Sequence, residues 1–131
     1  MAYQTSMALS ESAKAARPAF ASGKFYGLLE LDVAGTVLYA RVEPDSAAPG
    51  APTPHMTGWN FYTEIAPFRN VGEFQHQLDL FSRGQQPASS LDFTCQYEDG
   101  PLTVRMLLTR IRERAEQNTT KSILVHIRKV G

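Results

Sequence analysis

The chain has 131 residues, of which 43% are hydrophobic and 20% are charged, and this length and composition are typical of one soluble globular domain. Thirteen basic residues balance thirteen acidic residues, so the net charge gives no electrostatic basis for binding nucleic acid or an anionic membrane. A single cysteine, Cys95, excludes an internal disulfide and favours the reducing cytoplasm as the location. Because the sequence has neither a signal-peptide pattern nor a long apolar run, we expect neither secretion nor a membrane span.

The N-terminal part predicts a helical arm followed by two strands. Residues 1–24 are rich in helix formers up to Pro18 and have few large apolar side chains, which indicates a short, weakly anchored helix. The stretch Phe25–Val33 alternates apolar and polar residues and predicts a first strand. A turn leads to a second strand over Val37–Glu43, so that the two strands form a hairpin. The residues expected on its buried side are Phe25, Leu29, Leu31, Val33, Leu38, Ala40 and Val42.

The central part predicts a loop, an irregular aromatic segment and one longer helix. Four prolines between residues 44 and 54 indicate a loop. The segment Gly58–Phe68 is dense in aromatic residues but follows neither a helix nor a strand period for long, which indicates a compact, buried, irregular helical connection. A helix is predicted over Val71–Arg83, with Asn70 as its N-cap and Gly84 as its end.

The C-terminal third predicts three further strands. Apolar and polar residues alternate over Ser90–Glu98, and Asp99-Gly100 is typical of a hairpin turn. The alternation resumes over Leu102–Leu108, and a polar loop at 115–120 leads to a last strand over Ser122–Val130. The residues predicted to form the core are Leu29, Leu31, Phe61, Phe74, Leu78, Phe93, Val104, Met106, Leu108 and Val125.

A set of residues spread from Tyr26 to Val130 resembles that of PAS domains, and among them the photoactive yellow protein group. The residues that carry the resemblance are Gly27, Leu31-Asp32, Gly35, Gly58, Asn60-Phe61, Ala66-Pro67, Glu73-Phe74, Ser122, Val125, Lys129 and Val130. The resemblance implies an α+β PAS fold over residues 25–131, with a five-stranded antiparallel sheet, helices on one face and the N-terminal helical arm at 1–24. It also implies a sensory or signal-transduction module that acts by sensing a small ligand, by protein–protein interaction, or by both, without catalysis.

The chain departs from the photoactive yellow protein group at the chromophore. The residue after Ala66-Pro67, which is the chromophore-binding cysteine in that group, is Phe68 here. Phenylalanine has no nucleophile, so we expect no thioester chromophore. Tyr39 and Glu43 lie one residue before the positions of the group's chromophore-contacting tyrosine and glutamate, so we expect both side chains to point away from the interior.

The resemblance also implies a pocket between the helices and the sheet. Either this pocket binds a small apolar or aromatic ligand that shifts the domain between two states, or aromatic side chains fill it and the protein works only through an interface. The candidates to line it are Phe61, Ile65, Phe68, Phe74, Phe93 and Met106.

The histidines and the cysteine suggest no cofactor chemistry. Some PAS domains bind haem through a histidine, but His55, His76 and His126 are scattered along the chain, so we expect neither a haem nor a metal site. We expect no flavin either. Cys95 shares the predicted inner side of its strand, where a cysteine behaves as a small hydrophobic residue.

The opposite, outer face of the predicted sheet is too apolar for full contact with water. Leu107, Ile111 and Leu124 lie there, and they predict a homodimer through this face or contact with a signalling partner protein. The arginines close to these residues are interpreted as a solvated strand end rather than a nucleic-acid site. They are Arg105, Arg110, Arg112 and Arg114.

An alternative of a different class stays open, namely a cone-shaped α+β enzyme or binding protein of the nuclear-transport-factor type. That fold needs about the same length, but it starts with a pair of long helices, whereas the sheet of this chain is predicted to start near Phe25. The sequence also lacks a paired histidine and aspartate on facing strands, as general acid–base catalysis in such a cone would need.

Overall fold

The computed structural model describes residues 24–43, 55–112 and 120–130. The predicted order of elements is confirmed over these residues. The predicted arm before Lys24, the proline-rich loop and most of the polar loop lie outside them. The elements in chain order are β1 (Gly27–Asp32), β2 (Val37–Val42), α1 (Phe61–Ile65, a single π-helical turn), α2 (Val71–Arg83), β3 (Ala88–Tyr97), β4 (Gly100–Arg112) and β5 (Thr120–Lys129).

The five strands form one antiparallel sheet in the order β2-β1-β5-β4-β3. The last strand therefore lies in the middle, between the first hairpin and the β3–β4 hairpin. The predicted hairpin is present, but its turn lies one residue earlier than Asp99-Gly100: Tyr97 pairs with Gly100, the first residue of β4 with a φ of 127°, so Glu98 and Asp99 form the turn. The predicted α+β architecture with a five-stranded antiparallel sheet is confirmed.

The core lies between one face of the sheet and the two helices. Every residue predicted to form the core is buried. Helix α2 has the predicted bounds and buries three side chains at helical spacing, Phe74, Leu78 and Phe81. The helices thus cover the inner face of the sheet, and the other face is the outer face.

The inner side of β2 differs from the prediction because the first hairpin contains a β-bulge. Glu30 pairs with Tyr39, whereas the next residue, Leu31, pairs with Val37, so Leu38 is an extra residue in β2. Val37 is fully buried as a result, and Leu38 is 42% exposed. The prediction that Leu38 faces the core is therefore wrong.

Val33 was also predicted to be buried, and it is 62% exposed. The reason is that β1 ends at Asp32, whose carboxylate accepts hydrogen bonds from the backbone N–H groups of Ala34 and Thr36. This turn takes Val33 out of the strand alternation. The two other inner positions predicted for β2 do pack against the core: Ala40 and Val42.

The ends of α2 are set as predicted, but not by the predicted cap at Asn70. The Asn70 side chain makes no capping hydrogen bond. Its amide nitrogen donates to the carbonyl of Thr94 at 2.8 Å, and its amide oxygen accepts from the N–H of Gln96 at 2.9 Å. Both amide groups of Asn70 therefore pair with β3. Gly84 ends the helix, and its N–H donates to two carbonyls of the last turn.

The prediction of a solvated basic strand end is wrong for Arg110. This residue follows the inward alternation of Leu108 and is only 8% exposed. Its guanidinium donates to the backbone carbonyl of Phe81 near the end of α2. Arg105 does lie on the exposed surface, and Arg114 is outside the described residues.

Candidate functional site

Helix α1 borders the interior of the domain, and the side chain of Asn60 holds this helix in place. Its amide oxygen accepts hydrogen bonds from the backbone N–H groups of Tyr62 and Thr63, and the Glu64 carboxylate accepts from the Asn60 N–H. This reciprocal capping satisfies N–H groups that a short helix leaves without partners. The Asn60 amide nitrogen donates to the carbonyl of Ala34 at 2.9 Å, which fixes α1 on the β1–β2 turn.

The same turn approaches α1 so closely that only glycine fits at position 35. Gly35 has a φ of +97°, and a Cβ atom there would lie 2.4 Å from the Tyr62 ring. The Gly35 carbonyl also accepts from the N–H of Phe61 at 2.8 Å. The tight turn therefore sets the position of the aromatic side chains that follow it.

Four phenylalanine rings fill the space between α1, α2 and the sheet. The Phe74 ring lies 5.3 Å from Phe68, 5.4 Å from Phe61 and 5.6 Å from Phe93, measured between ring centres. These are contact distances for tilted and edge-to-face aromatic pairs. All the candidates to line a pocket are buried here: Phe61, Ile65, Phe68, Phe74, Phe93 and Met106. The rings of the aromatic cluster thus contact one another.

Phe68 lies in the middle of this cluster. Besides Phe74, its ring contacts the rings of Phe93 and Tyr97 at 6.2 and 5.9 Å. The position offers a phenyl group and no nucleophile for a thioester. Tyr39 is 47% exposed and lies on the outer side of β2, as predicted. Glu43 approaches His126 and does not face the cluster.

The buried thiol of Cys95 and the buried hydroxyls of Tyr62 and Tyr97 are neutral at physiological pH. Burial raises the pKa of the Cys95 thiol to about 12, despite a hydrogen bond with Tyr97 that lowers it. Burial also raises the pKa of the Tyr97 and Tyr62 hydroxyls above their ordinary value. The Tyr97 hydroxyl accepts from the Phe25 N–H at 3.1 Å. Cys95 is therefore a small hydrophobic residue and not an activated nucleophile.

The histidines are not brought together. His55 and His76 are exposed, and His126 is half-buried on the outer face with its Nε2 atom 3.8 Å from a carboxylate oxygen of Glu43. In the three described ranges, no group of three or more His, Cys, Asp or Glu side chains is placed to hold a metal ion. No helix within those ranges is long and apolar enough to cross a membrane.

The outer face carries the three predicted interface residues in adjoining positions. Leu107 pairs with His126, and His126 pairs on its other side with Leu28. Leu124 lies two residues before His126, and Ile111 is four residues beyond Leu107 on β4. Each of the four apolar side chains is half-buried. They lie on one face as a patch across β1, β5 and β4 that contains four apolar side chains, with the polar His126 between Leu28 and Leu107.

The same face carries two further residues that the sequence analysis did not assign to an interface. The alternation of apolar and polar residues in the predicted first strand places Leu28 on the outward side, so this pattern could have identified it as an outer-face residue. Tyr39, on β2, lies on the same face and is 47% exposed, and Glu30 stands between it and Leu124 in the register. We call the five residues together the outer stripe: Leu28, Tyr39, Leu107, Ile111 and Leu124.

The comparisons with known proteins concern the fold. No protein-family model and no curated protein matches the chain. Among solved structures, the PAS domain of BvgS from Bordetella pertussis is similar with a TM-score of 0.53 and 12% identity, over 81% of this chain and 77% of that one. The fold is that of a PAS domain.

Two further structures are similar to this PAS fold with a TM-score of 0.47 each. The photoactive yellow protein domain of the sensor histidine kinase Ppr from Rhodospirillum centenum is 20% identical over 79% of this chain and 85% of that one. The PAS domain of an HTR-like protein from Haloarcula marismortui is 14% identical over 98% and 99%. The cone-shaped alternative has no support in this fold.

Proposed function

We propose that this PAS domain is a cytoplasmic signalling module without catalytic activity, and that it acts by pairing with a second copy of itself through the outer stripe. The observation that supports the proposal is the apolar character of a sheet face that the two described helices leave uncovered. Scattered apolar residues on a surface are ordinary, but a contiguous patch is typical of an interaction site. A face used by both partners gives a closed two-fold dimer, the commonest soluble oligomer.

The composition of the surroundings favours this arrangement. The stripe runs through the middle of the sheet, and an ion pair between Arg105 and Asp92 lies beside it with an N–O distance of 2.9 Å. His126 lies within the stripe, between Leu28 and Leu107, and approaches Glu43. Mixed apolar and polar groups are usual in a protein interface, which buries roughly 800 Å² per partner in a stable complex.

A sensory role could also depend on a ligand that binds in the interior. The contacts among the phenylalanine rings weigh against this form. A ligand among Phe61, Phe68 and Phe74 would have to separate rings that already contact each other. Creating such a space costs about as much as a core truncation, roughly 3 to 5 kcal/mol. Native mass spectrometry of the purified protein is the direct check, because a retained metabolite would add its mass to the chain.

The interface proposal is tested by light scattering on the wild-type protein and on two leucine variants. Leu107→Glu puts a charge into the outer stripe and is expected to give a folded monomer. Leu80→Glu is the matched control, because Leu80 is 49% exposed on α2, on the helical side; it is expected to stay dimeric. A wild type that is monomeric at high micromolar concentration, or a Leu107→Glu dimer, would contradict the proposal.

A further inference from the structure

Strand β3 forms an edge of the sheet, since β4 is its single strand neighbour in the order β2-β1-β5-β4-β3. It is ten residues long and pairs with β4 without a register shift. Natural edge strands are commonly protected by a bulge, a lysine or a proline within the strand. Ala88–Tyr97 contains none of these, so β3 is a long and regular edge strand.

The backbone groups that face away from β4 can be identified from their partners. The carbonyl of Pro87 accepts from the Arg110 N–H, so odd-numbered residues pair with β4. Even-numbered residues therefore face the free edge. Consistent with this, the carbonyl of Thr94 and the N–H of Gln96 bond the Asn70 side chain.

The free edge divides into a filled half and an open half. Arg69 and Asn70 pair with the half at Thr94 and Gln96, where the Arg69 N–H also donates to the Gln96 carbonyl at 2.8 Å. The outward N–H and C=O groups of the other half have no partner among the described residues. That half comprises Ala88, Ser90 and Asp92.

A groove of about 460 Å³ lies between this edge and α2. Leu91 and Phe93 form part of its apolar wall, and Gly72, whose missing side chain leaves open space, contributes to the helix side. Glu73 and Asp92 also line it; the Asp92 carboxylate is paired with Arg105, whereas the Glu73 carboxylate accepts a hydrogen bond from the Asn70 amide. His76 lines it too.

We propose that the open half of the β3 edge binds an extended, basic peptide segment of a partner protein as a sixth strand. Backbone hydrogen bonds to Ser90 and Asp92 would hold the peptide, as in other cases of strand addition, and alternate side chains would enter the groove. The Glu73 carboxylate, which has no ion-pair partner among the described residues, favours lysine or arginine in the peptide. A second copy of this chain fits less well, because it would bring a second Glu73 carboxylate to the same edge. The site is separate from the outer stripe, so it does not depend on dimer formation.

The test uses the whole protein labelled with ¹⁵N and the peptide acetyl-Lys-Val-Arg-Val-Lys-Val-amide as the probe. We expect the amide protons of Ser90 and Asp92 to become protected from exchange when the peptide is added, while those of Ser89 and Leu91 are already protected. Two analogues are compared with it: one is N-methylated at its odd-numbered residues and the other at its even-numbered residues. A strand presents only one of these two sets of N–H groups to the edge of the sheet. The analogue methylated at the set that faces away should therefore bind, and the other should not.

A pair of variants tests the same edge from the protein side. Ser90→Pro removes an outward N–H that the β3–β4 ladder does not use, and proline is tolerated at such edge positions. We expect it to weaken peptide binding about tenfold, whereas Ser90→Ala should bind like the wild type. Equal binding of both methylated analogues, protection at other residues, or no binding at millimolar peptide would overturn the proposal. The peptide result stands even if Ser90→Pro does not fold.

Discussion

The guanidinium of Arg110 lies 4.8 Å from the centre of the Phe81 ring and donates to the Phe81 carbonyl. It donates as well to the carbonyls of Ser82 and Gln86. Carbonyls at the end of a helix lack intrahelical partners and carry partial negative charge. Thr120 accepts from the same guanidinium and donates to the Ser82 carbonyl. Arg110 therefore joins the end of α2 to β4 and β5.

Arg110→Met should lower the free energy of unfolding by about 3 kcal/mol, because buried carbonyls lose charge-assisted hydrogen bonds. Urea denaturation followed by circular dichroism measures the change. Arg110→Lys should recover only part of it, since an ammonium group lacks the fork geometry. Arg105→Met is the control, with little expected change because its ion pair is exposed. If both methionine variants were equally stable, Arg110 would not be a structural cap.

The sequence predicted most accurately what local signals determine. The bounds of α2 follow from helical periodicity and Gly84, both within the helix and its flanks. The bulge at Leu38 depends on how β2 pairs with β1, and alternation along one strand does not report it. Arg110 was assigned to the solvent because its partners are backbone carbonyls 24 to 29 residues away, which carry no sequence signature.

The same distinction holds for the candidate site. The aromatic cluster was predicted from the density of aromatic residues in Gly58–Phe68 and from the periods of the helix and strand that carry Phe74 and Phe93. Whether the rings enclose a space or fill it depends on side-chain packing, which no pattern reports. Asn70 illustrates the point: a residue expected to cap α2 bonds to Thr94 and Gln96 instead, because β3 presents an unpaired edge beside it.

Gly35→Ala should destabilise the domain by about 2 to 3 kcal/mol. The new Cβ would lie 2.4 Å from the Tyr62 ring, and a φ of +97° is unfavourable for alanine. Gly72→Ala is the matched control, because its Cβ would meet nothing within 4 Å and it lies in α2. It should stabilise the domain by about 0.5 to 1 kcal/mol. Melting temperatures that fall equally in both variants would contradict the close approach at Gly35.

The wild-type protein should form no thioester with activated coumarate. Phe68 has no nucleophile, and Cys95 is buried with a raised pKa. Intact mass spectrometry after incubation should therefore show an unmodified chain. Phe68→Cys puts a thiol at that position and removes the ring that packs on Phe74, Phe93 and Tyr97, and the space this leaves is expected to let the thiol take up the mass of one chromophore. Its absorption should match that of a free thioester, since Tyr39 and Glu43 do not face the cluster; a shifted band would contradict their outward placement.

Stability should fall in alkaline solution because buried acids keep protons that the unfolded chain loses. Burial raises the pKa of Cys95 from 9.0 to about 12. A folded-state pKa above the unfolded value contributes stability that is fully present below pH 9.0 and is lost as the pH rises from there towards 12. The pKa values of Tyr62 and Tyr97 are raised in the same direction from 10.0, so their contribution is lost at higher pH.

Urea denaturation of the wild type and of Cys95→Ala between neutral pH and about pH 10 separates these contributions, because an unfolded tyrosine is still mostly protonated below about pH 10. The alanine variant is expected to be less stable at neutral pH because of the space it leaves, so the slopes with pH are compared rather than the absolute values. The wild-type curve should fall more steeply above about pH 9, where an unfolded thiol ionises. Parallel curves for the two proteins would mean that the Cys95 thiol ionises equally readily in the folded and unfolded chains, and that its burial does not protect the proton.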